Sequence, residues 1–497
     1  MRSAAATVES SREPASLRVL RNRNGWAIPA SLLLYTSIFL ALLLTGPGIR
    51  IPHYSFQLLP EEALEEQLVQ SLYYLHAQPP LMNSLLGVTL YASRLLGVTE
   101  HSILVVLHFL LGLVIVTLFW KVARALRLTF TAQAAATLYI ILHPVVYIYL
   151  FLFSYTVYEM AFLLVLIWAT NRFWESARAK DLVLVCAALC ALTFTRSLFH
   201  PFWSTAALLF VLLVTPRSSR YMLVGRRHVA LAATTVLILL SWPLKNLALF
   251  GFFGYSSWLG YNLSRSLPIE KHELSPMFAL QTPEDRSAAQ GRAFELLPEE
   301  FRDVYVLASP VKKSGAPNWN HYAMLNYSSD LQRATLDLLR ERPRAFLRKA
   351  WSNYQRHSLF AGKNVYSGTF SLMHHGNGMG RWMRIYDSTF FRPLTDRPPR
   401  APLTIYFFAF PLIVVIAMIK AVAGAGRRSP DWRCVTLLLA TILWVLAMVL
   451  FVDGDEANRI RFPTEPLTVL LFFWILTVPW PRQRQGARKD RRCLESS

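Results

Sequence analysis

Four carboxylates stand within six residues in Glu61-Glu62-Ala-Leu-Glu65-Glu66, and ten residues on the chain reads His76-Ala-Gln78-Pro79-Pro80-Leu81. Carboxylates crowded beside a bilayer raise one another's pKa, which is what a general base requires. The two prolines set a rigid helix start, whose free N–H groups suit an anion, and His76 and Gln78 add polar groups at the same end. The plainer reading of the acidic run is an amphipathic helix lying on the membrane, with Leu64, Leu68 and Leu72 as its apolar stripe and the acids solvated. Which of Glu61, Glu62, Glu65 and Glu66 would act as base stays open at this level.

The second chemical signal is basic. Arg459 and Arg461 lie between Glu456 and Glu465, and the forked donors of Arg match phosphate oxygens. Arg196 with His200, and Lys245 with Asn246, sit at the edges of other apolar runs and are further anion-binding candidates. For each of these the alternative is snorkelling to lipid headgroups. Glu159 interrupts an apolar run, so it pairs with a basic residue or lines a cavity. Asp453-Gly-Asp455-Glu456 has the look of a DxD metal motif and leaves room for a divalent metal, although an acidic turn is the commoner explanation. His374-His375 lacks helical i, i+4 spacing and a neighbouring carboxylate. No residue is assigned as a metal ligand and no cofactor is assigned, with a divalent metal left possible.

Composition says what must hold these groups. Of 497 residues, 54% are apolar and only 16% charged, against about 25% charged in a soluble chain. Long apolar runs cover about 27–45, 102–120, 131–150, 154–170, 181–195, 201–215, 229–250, 402–420, 434–452 and 464–480. The class is therefore an all-α polytopic membrane protein. A soluble enzyme, a secreted disulfide scaffold and a disordered regulator are excluded, and the four cysteines have no disulfide or zinc spacing. The net charge of +21 fits membrane topology and anionic lipids. It does not point to nucleic acid, because the basic residues flank apolar runs and no nucleic-acid-binding motif occurs.

A further run, 79–97, is interrupted by Arg94 and decides the orientation. As a full span it would put the basic loops Lys121/Arg124/Arg127, Arg172/Arg178/Lys180 and Arg217/Arg220/Arg226/Arg227 outside. As a juxtamembrane or re-entrant helix it puts them inside, together with Arg427/Arg428/Arg433, the basic tail and both termini. The positive-inside rule selects the second arrangement, with about ten transmembrane helices. The chain then divides into a cytoplasmic segment 1–26, a membrane module 27–250 with a first external loop 46–101, a long external loop 251–401, C-terminal spans 402–480, and a basic cytoplasmic tail 481–497. Within the long loop, 329–351 reads as an amphipathic helix bent at Pro343. The candidate residues gather on the external face, in one cavity. No internal repeat is visible, which argues against an inverted-repeat transporter.

Taken in order, these pieces resemble the GT-C glycosyltransferases, and within them the family 39-like branch of protein O-mannosyltransferases and lipid A aminoarabinose transferases. The pieces are Glu61-Glu62 before Pro79-Pro80-Leu81, His143-Pro144 before Tyr155 and Glu159, Arg196 with SLFHPFW, SWPLKNLALFGFFGYSSWLGYNL, and EANRIRFPTEP. The family more often has Asp first in its acidic pair and a longer gap to the PPL. The resemblance implies a GT-C-like fold and an enzyme that moves a sugar from a polyprenyl-phosphate carrier to an acceptor at the external face. It also implies a first-loop carboxylate as base or acceptor orienter, best matched by Glu61 and Glu62, with Glu159 the next candidate. The substrate-binding set it implies is His76, Gln78, Arg196, His200, Lys245, Asn246, Glu456, Arg459 and Arg461. The partners are the bilayer, the lipid-linked donor and an acceptor that is glycan, lipid or protein. The membrane is a bacterial inner (plasma) membrane, or that of the endoplasmic reticulum in a eukaryote. Two alternatives share parts of the pattern: a lipid-linked oligosaccharide polymerase or ligase, and a transporter or flippase of a lipid-linked saccharide.

Overall fold

The structure is a computed structural model that describes residues 15–45, 49, 51, 58–215, 225–265, 267, 297–359, 382, 385, 404–426, 432–452 and 457–480. Asp453, Asp455, Glu456, His374 and His375 lie outside the described residues. The first helices are α1 Ala15–Thr45, α2 Glu61–Glu66, α3 Leu68–Tyr73, α4 Leu81–Leu96, α5 Glu100–Ala125, α6 Phe130–Ile141 and α7 Pro144–Leu150. There follow α8 Tyr155–Ser176, α9 Ala179–Thr195, α10 Pro201–Leu213, α11 Arg226–Phe250, α12 Leu259–Ser264 and α13 Tyr305–Ala308. The last are α14 Ala323–Glu341, α15 Pro343–His357, α16 Ile405–Gly426, α17 Trp432–Phe451, α18 Ala457–Arg461 and α19 Glu465–Thr477. No strand occurs among the described residues.

Among the described residues, six stretches are long and apolar enough to cross a membrane: Trp26–Thr45, α5, α11, Ile405–Ala425, α17 and Arg459–Thr477, the last running from α18 into α19. The expected run 131–150 is a broken pair, α6 and α7, bent by 51°. The physical cause is His143-Pro144. Proline has no N–H to continue the ladder, and His143 caps the new helix by accepting from the Val145 N–H at 3.2 Å. The runs 154–170, 181–195 and 201–215 are helical as α8, α9 and α10, with α10 only 13 residues long. The run 79–97 forms α4, whose 16 residues reach about 24 Å, short of a hydrocarbon core of about 30 Å.

Apolar on most of its circumference, α8 is buried along its first four turns except at the partly exposed Phe162, Val165 and Trp168, and packs between α5 and α9. At the periphery, Leu33, Leu40 and Leu44 of α1, Leu237 and Leu244 of α11, and Leu412, Ile419 and Val422 of α16 are exposed, as a lipid-facing surface requires. α1 crosses α5 closely at Gly112, where an added Cβ would lie 1.9 Å from the Tyr35 hydroxyl oxygen. A buried lysine ties the C-terminal spans together. Lys420 of α16 donates to the Trp474 and Ile475 carbonyls at 3.1 Å each, and to that of Val478, so it caps the end of α19.

Two segments expected as single amphipathic helices are each broken in two. The acidic helix breaks at Gln67 (φ −139°, ψ 46°) into α2 and α3, while Leu64 is buried and Leu68 and Leu72 pack on the core. The 329–351 segment breaks at Arg342 (φ −134°, ψ 62°), where the bend at Pro343 was expected. The residue before proline is driven out of the helical region, and Pro343 restarts the chain as the first residue of α15. α14 lays Ala323, Tyr327 and Leu331 against the core side and meets α12 so closely that a Cβ on Gly260 would stand 1.7 Å from the Ser328 carbonyl oxygen.

Candidate active site

The first turn of α8 carries Tyr155 and Glu159 on one face, four residues apart. Arg196 ends α9, and its Nη1 reaches Glu159 Oε2 at 3.7 Å. Arg459, from α18, donates through Nη2 to the Tyr155 hydroxyl. The guanidinium carbons of Arg196 and Arg459 lie 4.4 and 5.1 Å from the centroid of the Tyr155 ring. All four side chains are buried. Sequence reading named each charged member; the structure brings Glu159, Arg196 and Arg459 together around one tyrosine.

Arg461 belongs to a different group. It meets Glu465 at 3.2 Å, donates to the His357 carbonyl at 2.6 Å and lies 4.2 Å above the Tyr406 ring. Glu465 also receives Tyr139 OH at 2.9 Å and stands 2.9 Å from His143 Nε2. Buried charges are tolerated where they are paired and hydrogen-bonded in this way.

A cavity of about 210 Å³ opens beside the first cluster. Arg196, Ser197, His200, Ser256 and Asn262 supply its polar lining, and Phe253, Tyr255 and Ile460 are among its apolar groups. His200 caps α10 by accepting from the Phe202 N–H at 3.4 Å, and burial lowers its pKa, which favours the neutral ring.

The first-loop acids line a second cavity, of about 290 Å³, made by Glu61, Glu62 and Glu65 with Lys312, Lys313 and Ser314. Glu62 Oε1 receives the Tyr305 hydroxyl at 2.6 Å and the Lys313 N–H at 3.4 Å. Burial alone would raise the Glu62 pKa, but the Tyr305 bond and the Lys313 contacts outweigh it and hold the group below its ordinary value. Lys312 is buried, and its Nζ donates to the Leu58 carbonyl at 2.6 Å. Burial pushes its pKa down to about 8, against the pull of Glu61 and Glu62. Glu66 is exposed and is not part of this lining.

The turn before α4 joins the two regions. His76 is buried, its backbone N–H donates to Asn320 Oδ1 at 2.9 Å, and its Nδ1 lies 2.8 Å from Ser257 Oγ. Burial, with help from Lys245, depresses its pKa to about 3, so it is neutral at working pH. Lys245 donates to the Leu75 carbonyl at 2.6 Å and sits 3.7 Å above the Trp242 ring. Asn246 donates to the Gly254 carbonyl at 2.7 Å. Gln78 is half-buried. Ser256, from the wall of the first cavity, donates to the Ala77 carbonyl at 2.5 Å. His76, Lys245 and Asn246 thus hold loops together. Among the described residues no group of three or more His, Cys, Asp or Glu is arranged to hold a metal.

No family model matches the chain, and no curated protein matches it. The chain is similar to solved structures of an archaeal oligosaccharyltransferase and of ArnT. The oligosaccharyltransferase of Archaeoglobus fulgidus in its apo form is 11% identical, with a TM-score of 0.40, over 95% of this chain and 52% of that one. The same archaeal enzyme, AglB, with an inhibitory peptide and a dolichol-phosphate is 10% identical, with a TM-score of 0.36, over 90% and 49%. ArnT from Cupriavidus metallidurans bound to undecaprenyl phosphate is 15% identical, with a TM-score of 0.32, over 90% and 77%. The chain spans about half the length of the archaeal structures it matches.

Sequence reading missed Tyr155 as the shared partner of two arginines, and Tyr305, Lys312 and Asn320 as the framework of the first loop. Asn320 receives the N–H groups of His76 and Ala77 and donates to the Tyr74 carbonyl at 3.2 Å. These contacts cross more than 240 residues of chain, and no spacing rule reaches that far. The one available signal was the cluster Asn318, Asn320 and His321 within an otherwise irregular loop.

Proposed function

We propose that this protein is an inverting glycosyltransferase that takes a sugar from a polyprenyl-phosphate carrier and passes it to an acceptor at the external, periplasmic or luminal, face of the membrane. What carries the reading is the convergence of Arg196 and Arg459 on Tyr155 beside Glu159, at the edge of a cavity among apolar helices. Two forked cations at such a site suit the phosphate of a lipid whose tail stays in the bilayer.

The chemistry asks little more. The acceptor oxygen attacks the anomeric carbon, the bond from that carbon to the phosphate oxygen breaks, and the electron pair leaves with polyprenyl phosphate. Arg196 and Arg459 stabilise the departing charge. The acceptor proton goes to a carboxylate, for which Glu61 is the first candidate and Glu159 the second. Phosphate is a good leaving group, so no acid need protonate it. The bond from Ser256 of the first cavity to the Ala77 carbonyl supports a path from the donor side toward the loop that carries Glu61.

The test is transfer by the purified full-length protein from a panel of labelled polyprenyl-phosphate sugars, with nucleotide sugars as controls. Transfer from at least one lipid donor is expected. Transfer from nucleotide sugars alone, or from none of the donors, would overturn the reading.

A further inference from the structure

α15 is bolted across the ends of two spans. Phe346 stacks on Phe451 at the end of α17 with ring centroids 6.1 Å apart, and Trp351 packs edge-on to Phe407 in the first turn of α16 at 5.7 Å. The Tyr354 hydroxyl donates to the Phe407 carbonyl at 2.8 Å, and Asn353 donates to the Leu450 carbonyl at 2.9 Å. α16 and α17 are neighbours of 22 and 20 residues. They are about 33 and 30 Å long, close to the thickness of the hydrocarbon core. Their ends at Ile405 and Phe451 therefore mark one membrane surface, and α15 lies along it.

The face of α15 next to these contacts, which shares Trp351 with them, is unusual for a solvated helix. Leu347 is 66% exposed and Trp351 56%, with exposed Arg344 and Arg348 beside them. At 100° per residue these four side chains fall within an arc of about 100°. Residues 343–357 contain no Asp or Glu. The patch continues into Ile405 and Phe408 of α16, also exposed and apolar. An aliphatic and an indole side chain flanked by arginines, at the level where spans end, is the composition of an interfacial helix.

We propose that this face of α15 binds anionic phospholipid headgroups, with Leu347 and Trp351 seated at the acyl boundary and Arg344 and Arg348 on the phosphates. The occupant follows from charge complementarity and from continuity with the lipid-facing side of α16. The binding is a property of the bilayer contact and requires no transferase activity.

The test uses the full chain reconstituted in vesicles, carrying a fluorophore at Leu347→Cys in a Cys190→Ser/Cys493→Ser background, with Trp351→Cys as a second labelling site. A doxyl quencher is carried near the headgroup of either phosphatidylglycerol or phosphatidylcholine, and iodide probes water access. Quenching by the phosphatidylglycerol probe at least twofold above that by the phosphatidylcholine probe is expected, with the difference lost in Arg344→Gln/Arg348→Gln. Equal quenching by the two lipids would overturn recognition of charge. Iodide access equal to a label at Asp337→Cys on α14, without lipid quenching, would overturn the membrane contact and leave water or a protein partner as the occupant.

Discussion

Arg459 and Arg461 stand two residues apart on α18 and reach opposite groups: Arg459 the Tyr155 hydroxyl, Arg461 the carboxylate of Glu465. Two steps of a helix turn a side chain by about 200°, so a single short helix supplies one arginine to the candidate active site and one to the framework.

From this division, Arg459→Gln should weaken use of the lipid donor while leaving the fold. Losing a charge-assisted bond to phosphate costs about 1.5–3 kcal/mol, or about 10- to 150-fold in donor use. Titration of the donor at fixed acceptor checks it. Unchanged kinetics would return Arg459 to a packing role.

Arg461→Gln should behave differently. It leaves Glu465 buried with one cation fewer, a loss on the order of 3–5 kcal/mol. Thermal unfolding in detergent should show a much lower midpoint than for Arg459→Gln, and Glu465→Gln should share the defect.

Among the first-loop acids, Glu62 is occupied by Tyr305 and the Lys313 N–H, and its lowered pKa makes it a poor base. Glu61→Gln should therefore lose about 10²–10⁴-fold in turnover, while Glu62→Gln, which still accepts the Tyr305 bond, should keep most of it. Single turnover measured at matched expression separates them. Activity within about threefold of wild type for Glu61→Gln, Glu62→Gln, Glu65→Gln and Glu66→Gln alike would move the search to Glu159.

Lys312 gives a pH dependence with a definite sign. Its pKa falls from 10.5 to about 8 on burial, so between pH 8 and 10.5 the unfolded chain holds more of this proton than the folded one. Stability from this group therefore rises with pH across that window and is least below pH 8. Relative to Lys312→Met, wild type should gain on the order of 3 kcal/mol between pH 7.5 and 10.5. Paired unfolding curves at the two pH values read the difference.

Gly260→Ala should loosen the α12–α14 crossing, because its Cβ would meet the Ser328 carbonyl at 1.7 Å. Backbone must shift, at a cost of about 1–3 kcal/mol or more. Increased hydrogen exchange in 323–341, with exchange in α5 unchanged, is the expected pattern.

What was legible in the sequence follows from the range of each force. Apolar runs announce helices because the bilayer demands some 20 apolar residues in a row, and α5, α11 and α17 follow their runs closely. Glu159 announced itself as a carboxylate in such a run. Prolines 144 and 343 marked the breaks in 131–150 and 329–351, although a bend and a complete break look alike in one dimension. The break at Gln67 carries no such mark; across it the Ser71 hydroxyl donates to the Ala63 carbonyl at 2.9 Å. The engagement of Glu62 by Tyr305 depends on a loop 243 residues away, and only folding brings it there.

The shortness of α10 has a consequence for the lipid around it. Thirteen residues make a rod of about 20 Å, some 10 Å less than the hydrocarbon core it adjoins. Phe202, Leu209 and Leu213 turn outward from it, so lipid must meet this helix at its own length. Such a mismatch draws the headgroup layer inward. One end of α10 is His200, which lines the cavity of Arg196. If the mismatch is taken up at that end, the headgroup layer stands nearer to the cavity than it would beside a full-length span.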